Sequence, residues 1–309
     1  MQKVLICDAV HSLLTDGLKA HGLTYLYSPE ITLEQSGEIV GEFDVIVVNT
    51  KTRIDADFLK NSGNLKKIIR LGSGLDTIDV PLANSKGIRV FSTPECNANA
   101  VGEHALTLLL NLMNHVCPAH RNILDGKWER EVFRGEELEG KTVGIIGFGH
   151  TGPAFAKKLR GFDVEILVYD KYRQHFGSEY RYVKEVSLQD IHENSDIVSL
   201  HLPLTTETRN FANADFFDKC RRQLYFINTS RGKIVNTRDL IQNVESGKLT
   251  GVGLDVLENE KPETYDQQET AMYGKLYSFQ NVILTPHIAG WTKESKEKIA
   301  KQVLRLILE

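Results

Sequence analysis

The sequence predicts an α/β fold of parallel sheets divided between two domains, and three observations carry that reading. The first is the stretch at residues 142–170. There a short β-branched run (143–146) meets Gly147, Gly149 and Gly152 in the spacing G-x-G-x-x-G, a helical segment follows, and a second β-rich run ends on Asp170. The second is the alternation of strand-like apolar runs with helical patterns along the rest of the chain. The third is length: 309 residues are enough for two domains, each with its own core.

A strand, a glycine turn, a helix and an acid on the next strand are the parts of a dinucleotide site, in the order it needs. Gly147 allows the tight turn, and Gly149 lets the backbone approach a pyrophosphate. Gly152 lets the helix pack close to the strand, so that its first N–H groups face the phosphates. Pro153 suits the first helical turn, where its missing N–H is no loss. Asp170 lies 170 − 152 = 18 residues past the last glycine, near where an acid would bind ribose hydroxyls.

In chain order, residues 4–7 read as a buried strand. Val10, Leu13, Leu14 and Leu18 then share one helical face, and Gly22 closes that helix. A strand at 23–27 and a short helix at 33–40 lead to VIVV at 45–48, fully apolar as in the interior of parallel sheets. A short helix at 55–61, a run at 65–70 and a strand at 88–91 complete a small open sheet with helices on both faces. Two loops at strand ends stand out. Residues 70–76 (RLGSGLD) place two glycines and a serine where backbone N–H groups can hold an anion, and residues 49–53 carry Lys51 and Arg53. Pro94 and its polar neighbours mark a crossing, and a long apolar helix runs from Ala98 through Met113. The segment 117–139 reads as a helix and an irregular charged connection into the glycine unit. Beyond Asp170 come a helix at 186–191, strands at 197–200, 224–227, 251–254 and 282–284, and helices at 216–219 and 240–246. Arg231, Asp255 and His287 each sit at or just past a strand's carboxyl end, and Glu260 follows Asp255 in a loop.

Composition excludes several function classes. Hydrophobic content of 41% and charged content of 25% are ordinary for a globular protein, and a net charge of −4 gives no reason to expect nucleic acid or an anionic membrane as partner. Cys7, Cys96, Cys117 and Cys220 show no C-x-x-C and no metal-ligand spacing, which points to reduced thiols in the cytoplasm and to no metal. The N-terminus enters a strand pattern with no signal-peptide architecture, and the most apolar run, 105–113, is too short to span a bilayer.

Seven stretches in order, GSGLDTID, STPECNANAVGEHAL, the glycine turn, SLHLPLT, INTSRG, GLDVLENEKP and TPHIAG, resemble the signatures of the NAD-dependent D-2-hydroxyacid dehydrogenases, over about residues 70–291. The resemblance implies two Rossmann-like doubly wound domains with the catalytic one discontinuous: residues 1–97 plus 290–309, and an NAD-binding domain at 98–289. A closing helix at 292–308 has a stripe of Ile299, Ala300, Val303, Leu304, Ile307 and Leu308 that would return to the first domain. It further implies a catalytic set of Arg231, Glu260 and His287. The chemistry agrees: histidine ordinarily titrates near pH 6.5 and can exchange the hydroxyl proton while hydride moves to or from C2. A carboxylate would orient the imidazole, and an arginine fork would bind a carboxylate and a developing alkoxide together.

By the same resemblance the cofactor NAD would meet Gly147, Gly149, His150, Thr151, Gly152, Asp170, His201, Pro203 and Thr229, with Asp255 accepting from the nicotinamide carboxamide. Asp170 argues for NAD over NADP, against Lys171 and Arg173 beside it. The substrate, a 2-hydroxy or 2-oxo acid, would meet the backbone at Ser73 and Gly74. Lys51, Arg53 and Arg70 lie where the D-3-phosphoglycerate dehydrogenases, enzymes of serine biosynthesis, bind a phosphate. That branch is the nearest in overall likeness, in a short form lacking a serine-sensing domain, although Asn49 replaces an arginine many of its members have. The alternatives are a glyoxylate or hydroxypyruvate reductase and, in a different class, a non-catalytic NAD-sensing scaffold like the family's corepressors. The helix at 98–113, apolar nearly all round, and the resemblance together predict a homodimer.

Overall fold

A computed structural model describes residues 2–309. The chain forms two compact units. One takes in the chain as far as Asn97 together with Trp291–Glu309, and the other is Ala98–Gly290.

In the first unit β1 (Lys3–Ile6), α1 (Ser12–Ala20), β2 (Thr24–Tyr27), α2 (Leu33–Ile39), β3 (Val45–Val48), α3 (Ala56–Leu59), β4 (Lys67–Arg70), α4 (Val80–Ser85) and β5 (Arg89–Phe91) follow one another. The five strands pair in parallel in the order β2-β1-β3-β4-β5, so the winding reverses between β1 and β3. Successive side chains alternate between two cores. Val4, Ile6, Val45 and Val47 face one, and Leu5, Ile46 and Val48 face the other. That two-sided burial is why VIVV carries no polar residue.

The second unit opens with α5 (Ala98–Met113) and α6 (Val116–Leu124). Then come β6 (Thr142–Ile146), α7 (Thr151–Leu159), β7 (Glu165–Tyr169), β8 (Lys184–Glu185), α8 (Leu188–Asn194), β9 (Ile197–Leu200), α9 (Ala214–Lys219), β10 (Leu224–Asn228), α10 (Thr237–Glu245), β11 (Leu249–Leu254), α11 (Gln267–Ser278) and β12 (Val282–Leu284). The strands are all parallel, in the order β12-β11-β10-β9-β6-β7-β8, with the reversal between β6 and β9. The helix expected at 186–191 begins two residues later, because a two-residue strand, β8, first pairs with β7. Neither α4 nor α11 has the apolar periodicity that marks a helix. Of twelve residues in α11, only Tyr273 and Leu276 are buried, and its signature is instead a capping box between Asp266 and Glu269. The apolar surround of α5 is taken up within its own unit: Ala105, Leu108, Leu109, Leu112 and Met113 are buried against α7 and the sheet. A Cβ on Gly102 would lie 2.8 Å from the Ala154 backbone, so the two helices cross backbone to backbone.

The last helix, α12 (Lys293–Leu308), completes the first unit. Ala300, Val303, Leu306 and Ile307 close the core on the α1 side. Leu308, expected on that stripe, is 45% exposed, and Leu306 replaces it. Five residues turn a helix ~140° past Val303, off the buried face, whereas three keep Leu306 beside it. Lys67, buried at the start of β4, donates its Nζ to the carbonyls of Leu306 (2.9 Å) and Ile307 (3.4 Å), capping the negative end of α12. Replacing Lys67 with Met leaves those buried carbonyls without a donor, and should cost about 1–3 kcal/mol. Urea unfolding should show the transition moved to lower denaturant by that amount.

Candidate active site

The glycine turn has the three geometries its spacing predicts. Gly147 has φ +95°, and a Cβ there would come within 2.3 Å of the His201 carbonyl oxygen. A Cβ on Gly152 would lie 2.2 Å from the Gly147 carbonyl oxygen, while Gly149 has nothing within 4 Å and presents bare backbone to an incoming group. His150 is exposed at the start of α7. Thr151 and His201 stand behind the turn. The buried His201 ring lies with Nδ1 3.1 Å from Thr151 Oγ1 and Nε2 3.0 Å from Ser199 Oγ, and it packs on Phe155. Burial pushes its pKa down to about 3, so the ring is neutral. Pro203 is exposed, with its carbonyl accepting from Thr208 Oγ1 at 2.6 Å. Thr229 follows β10, with a buried Oγ1 that has no hydrogen-bond partner among the described residues.

Asp170 is half-buried and anchors the turn. It accepts from the N–H of Phe148 (2.6 Å), Tyr172 (2.8 Å) and Arg173 (2.8 Å). Neither neighbouring cation is at liberty. Arg173 donates to the Phe148 carbonyl (2.9 Å) and Glu179 (2.9 Å), and Lys171 pairs with Glu207. An open glycine face, an unpartnered hydroxyl and a half-buried carboxylate fit a dinucleotide: the first admits a pyrophosphate, and the others offer polar groups to its two ends.

Beyond β10 the side chains of Asn228 and Ser230 fix the backbone of Arg231. Asn228 Nδ2 donates to the Arg231 carbonyl (3.0 Å), and Ser230 Oγ donates to Leu200 (2.6 Å). A Cβ on Gly232 would fall 1.9 Å from the Leu257 carbonyl, so the Arg231 loop lies directly on the loop leading to Glu260. Glu260 in turn meets His287, whose Nδ1 is 2.9 and 3.1 Å from the two carboxylate oxygens. With Nδ1 so engaged, Nε2 is the ring nitrogen that can exchange a proton with a ligand.

His287 sits at φ +55°, an uncommon conformation for a residue with a side chain, and Asp255 holds it there. The buried Asp255 carboxylate accepts from Thr285 Oγ1 (2.6 Å), Ile288 N–H (2.8 Å) and Ala289 N–H (2.8 Å), and the Asp255 carbonyl accepts from His287 N–H (2.8 Å). Where the resemblance implies a carboxamide partner, the structure gives Asp255 partners in the chain's own loop. His104 on α5, which sequence reasoning passes over, joins them with Nε2 2.9 Å from Thr285 Oγ1 and 3.5 Å from Asp255 Oδ1. Its one sequence signal is an imidazole in a mostly apolar helix, where it stands beside Glu103.

In the first unit, Ser73 and Gly74 lie in a half-buried loop after β4, held by Thr93, which accepts from Gly72 N–H and donates back to its carbonyl (both 2.9 Å). The three candidate phosphate cations are turned toward the chain. Lys51 donates to the carbonyls of Pro29 and Ile31, Arg53 pairs with Asp55 (3.3 Å), and Arg70 donates to the Leu71 carbonyl (3.2 Å). Among them stands an acid, Asp8, which accepts from Asn49 N–H at 2.7 Å. Burial raises its pKa, and the Asn49 N–H, Lys51 and Arg70 act in the opposite direction. A cavity of about 710 Å³ opens elsewhere, where β6 and β7 begin, lined by Thr142, Glu165, Lys184, Asp190 and Arg222. Its ion pairs, Lys184 with Glu165 and Arg222 with Asp196, are closed within the chain.

Residues 106–289 match the family described as D-isomer specific 2-hydroxyacid dehydrogenase, NAD binding domain. The chain is 36% identical over 282 residues to hydroxypyruvate reductase of Thermotoga maritima, covering 91% of this chain and 89% of that protein. It is 33% identical over 294 residues to D-3-phosphoglycerate dehydrogenase of Archaeoglobus fulgidus, covering 95% of this chain but only 54%, about half, of that protein. Its fold matches the crystal structure of D-lactate dehydrogenase from Aquifex aeolicus complexed with NAD and lactic acid, with a TM-score of 0.86 and 26% identity over 99% of this chain and 94% of that one.

The neutral His201 makes a prediction of its own. Its folded pKa lies below the unfolded value near 6.5, so the unfolded chain takes up the proton first, and stability falls as pH drops from about 6.5 toward 3. By pH 5 the loss is about 2 kcal/mol. Urea unfolding of wild type and His201→Gln at pH 7 and pH 5 should show the wild type losing about 2 kcal/mol more than the variant.

Proposed function

We propose a substrate class for this chain, which belongs to the D-isomer specific 2-hydroxyacid dehydrogenase family and is an NAD-dependent oxidoreductase: it reduces a small unphosphorylated 2-oxo acid, of the hydroxypyruvate or glyoxylate kind, to the D-2-hydroxy acid. The observation that carries the catalytic part is the Glu260–His287 pair at the carboxyl end of β12, in the same unit as the glycine turn. The observation that carries the substrate part is Asp8. An acid of the chain already takes the Asn49 N–H and lies within reach of Lys51 and Arg70, so a phosphate there would meet a carboxylate.

NADH, when bound, supplies the hydride that goes to C2. His287 gives its proton to the carbonyl oxygen as the hydroxyl forms, and Glu260 keeps Nδ1 occupied so that Nε2 makes the transfer. Arg231 binds the substrate carboxylate and steadies negative charge on the oxygen during the transfer. Asp170 takes the ribose hydroxyls of NAD, and the occupied Arg173 and Lys171 leave a 2′-phosphate facing an acid.

A second reading has its own support. Lys51 and Arg70 do gather near one point, as cations for a phosphate would, and the chain resembles a D-3-phosphoglycerate dehydrogenase. On that reading the substrate pair is 3-phosphoglycerate and phosphohydroxypyruvate, and the setting is serine biosynthesis. Either reading suits a cytoplasmic enzyme, in keeping with four unbridged cysteines. We further place a second copy of the chain on the apolar surface that α6 and the segment after it leave uncovered, where Val116, Ile123, Leu124, Trp128 and Val132 are exposed. The apolar residues of α5 pack within their own unit, and those left exposed lie on α6 and the segment after it.

Two measurements test this. Hydroxypyruvate, its phosphate, glyoxylate and pyruvate compared by kcat/KM should favour an unphosphorylated acid with NADH, and NADPH should be at least about tenfold poorer. His287→Ala should lower kcat by about 10²–10⁴ while NADH binding persists. Preference for phosphohydroxypyruvate installs the second reading, and NADH binding without turnover of any acid makes the protein a scaffold. Light scattering at micromolar concentration should give a dimer mass, and Leu124→Glu with Trp128→Glu should give a monomer.

A further inference from the structure

We propose that Asn259, clamped between the hydroxyls of Tyr265 and Tyr273, is the positioning unit that holds Glu260 against His287. The inference deepens the catalytic reading above and rests on it. Glu260 is exposed in an irregular loop, two residues before a single 3-10 turn (Pro262–Thr264), yet its carboxylate meets Nδ1 through both oxygens. A carboxylate on a free loop would lose that geometry to chain entropy, so something must fix the backbone next to it.

The residue before it is fixed at every polar atom. The Asn259 N–H donates to Tyr273 Oη (2.9 Å), and the Asn259 carbonyl accepts from Tyr265 Oη (3.1 Å). Its side chain donates to Thr264 Oγ1 (3.1 Å) and Glu269 (3.2 Å), and accepts from Lys261 N–H (3.1 Å). The two phenols are themselves immobile. Tyr273, 1% exposed, is among the largest fully buried side chains, and Tyr265 stacks on it with centroids 4.5 Å apart. Burial raises both phenol pKa values, so both hydroxyls stay protonated at working pH. Tyr273 belongs to α11, so that helix carries a function of its own: it is the wall that the Glu260 loop is pinned to. Tyr277 extends the stack, and its hydroxyl meets Tyr265 Oη at 3.2 Å rather than Asn259.

A double-mutant cycle separates positioning from general support, because coupled residues depart from additivity. With hydroxypyruvate and NADH, Tyr273→Phe and Tyr265→Phe should each lower kcat about tenfold, with KM and the Kd for NADH changing less than about twofold. In a Glu260→Ala background, where there is no carboxylate to position, the same substitutions should change kcat less than about twofold. Tyr277→Phe, which removes a hydroxyl from the same stack, should leave kcat as in the wild type. Asn259→Ala keeps the stack and removes only the side-chain ties; it should follow the tyrosine pattern, and it serves if a phenylalanine variant does not fold. Equal losses in both backgrounds, or full kcat in Tyr273→Phe, Tyr265→Phe and Asn259→Ala while Glu260→Ala is impaired, overturn the positioning role and leave the catalytic reading standing. Unchanged kcat in both Glu260→Ala and His287→Ala overturns the catalytic reading, and the inference falls with it.

Discussion

The candidate site depends most on one buried carboxylate. Asp255 directly follows β11, and its own N–H donates to the Asn228 carbonyl at the end of β10. Its side chain ties Thr285, Ile288 and Ala289 of the loop after β12, and His104 approaches from α5. Three strand ends and a helix thus meet at one residue, its backbone joining β10 and its carboxylate the loop after β12 and α5. Burying an anion is tolerable only when its lone pairs are met, and here the donors are mostly backbone groups of the loop that must be shaped. In return the loop holds His287 at a positive φ that it would not keep in isolation.

What could be read in advance follows the physics of each signal. The strands with two buried faces, such as 45–48 and 143–146, announce themselves as unbroken β-branched runs, and the glycines at 147, 149 and 152 announce a turn that only they can make. Helices whose neighbours do most of the covering, α4 and α11, have no stripe to read, and α11 is marked only by its Asp266–Glu269 cap. The same division holds at the site. Glu260 and His287 are legible because they lie in motifs, and the structure brings them together across 27 residues. His104 meets Thr285 across 181 residues, and the hydroxyls of Tyr265 and Tyr273 meet the Asn259 backbone from outside its own turn, so no motif encodes these contacts. The Asp8 carboxylate was equally hidden, since its meaning comes from Asn49, which is 41 residues away.

The charged residues show a related rule. Lys51, Arg53, Lys171 and Arg173 all sit at strand ends, where a sequence reader expects ligand contacts, and all four are engaged by the chain itself. A cation beside a strand end therefore says little until its partner is known. The carboxylates are more informative, because Asp8, Asp170 and Asp255 each organise backbone N–H groups at a sheet's carboxyl edge.

The placement of α12 bears on the order in which the molecule forms. Val4, Ile6, Val45 and Val47 share a core with Ala300, Val303 and Ile307, so one face of the first sheet is incomplete until the last segment of the described chain has left the ribosome. Ala98–Gly290 has no such dependence and can close its core earlier. During synthesis the nucleotide-binding unit is thus the first finished object, while an apolar face of the earlier-made sheet waits uncovered for its final helix.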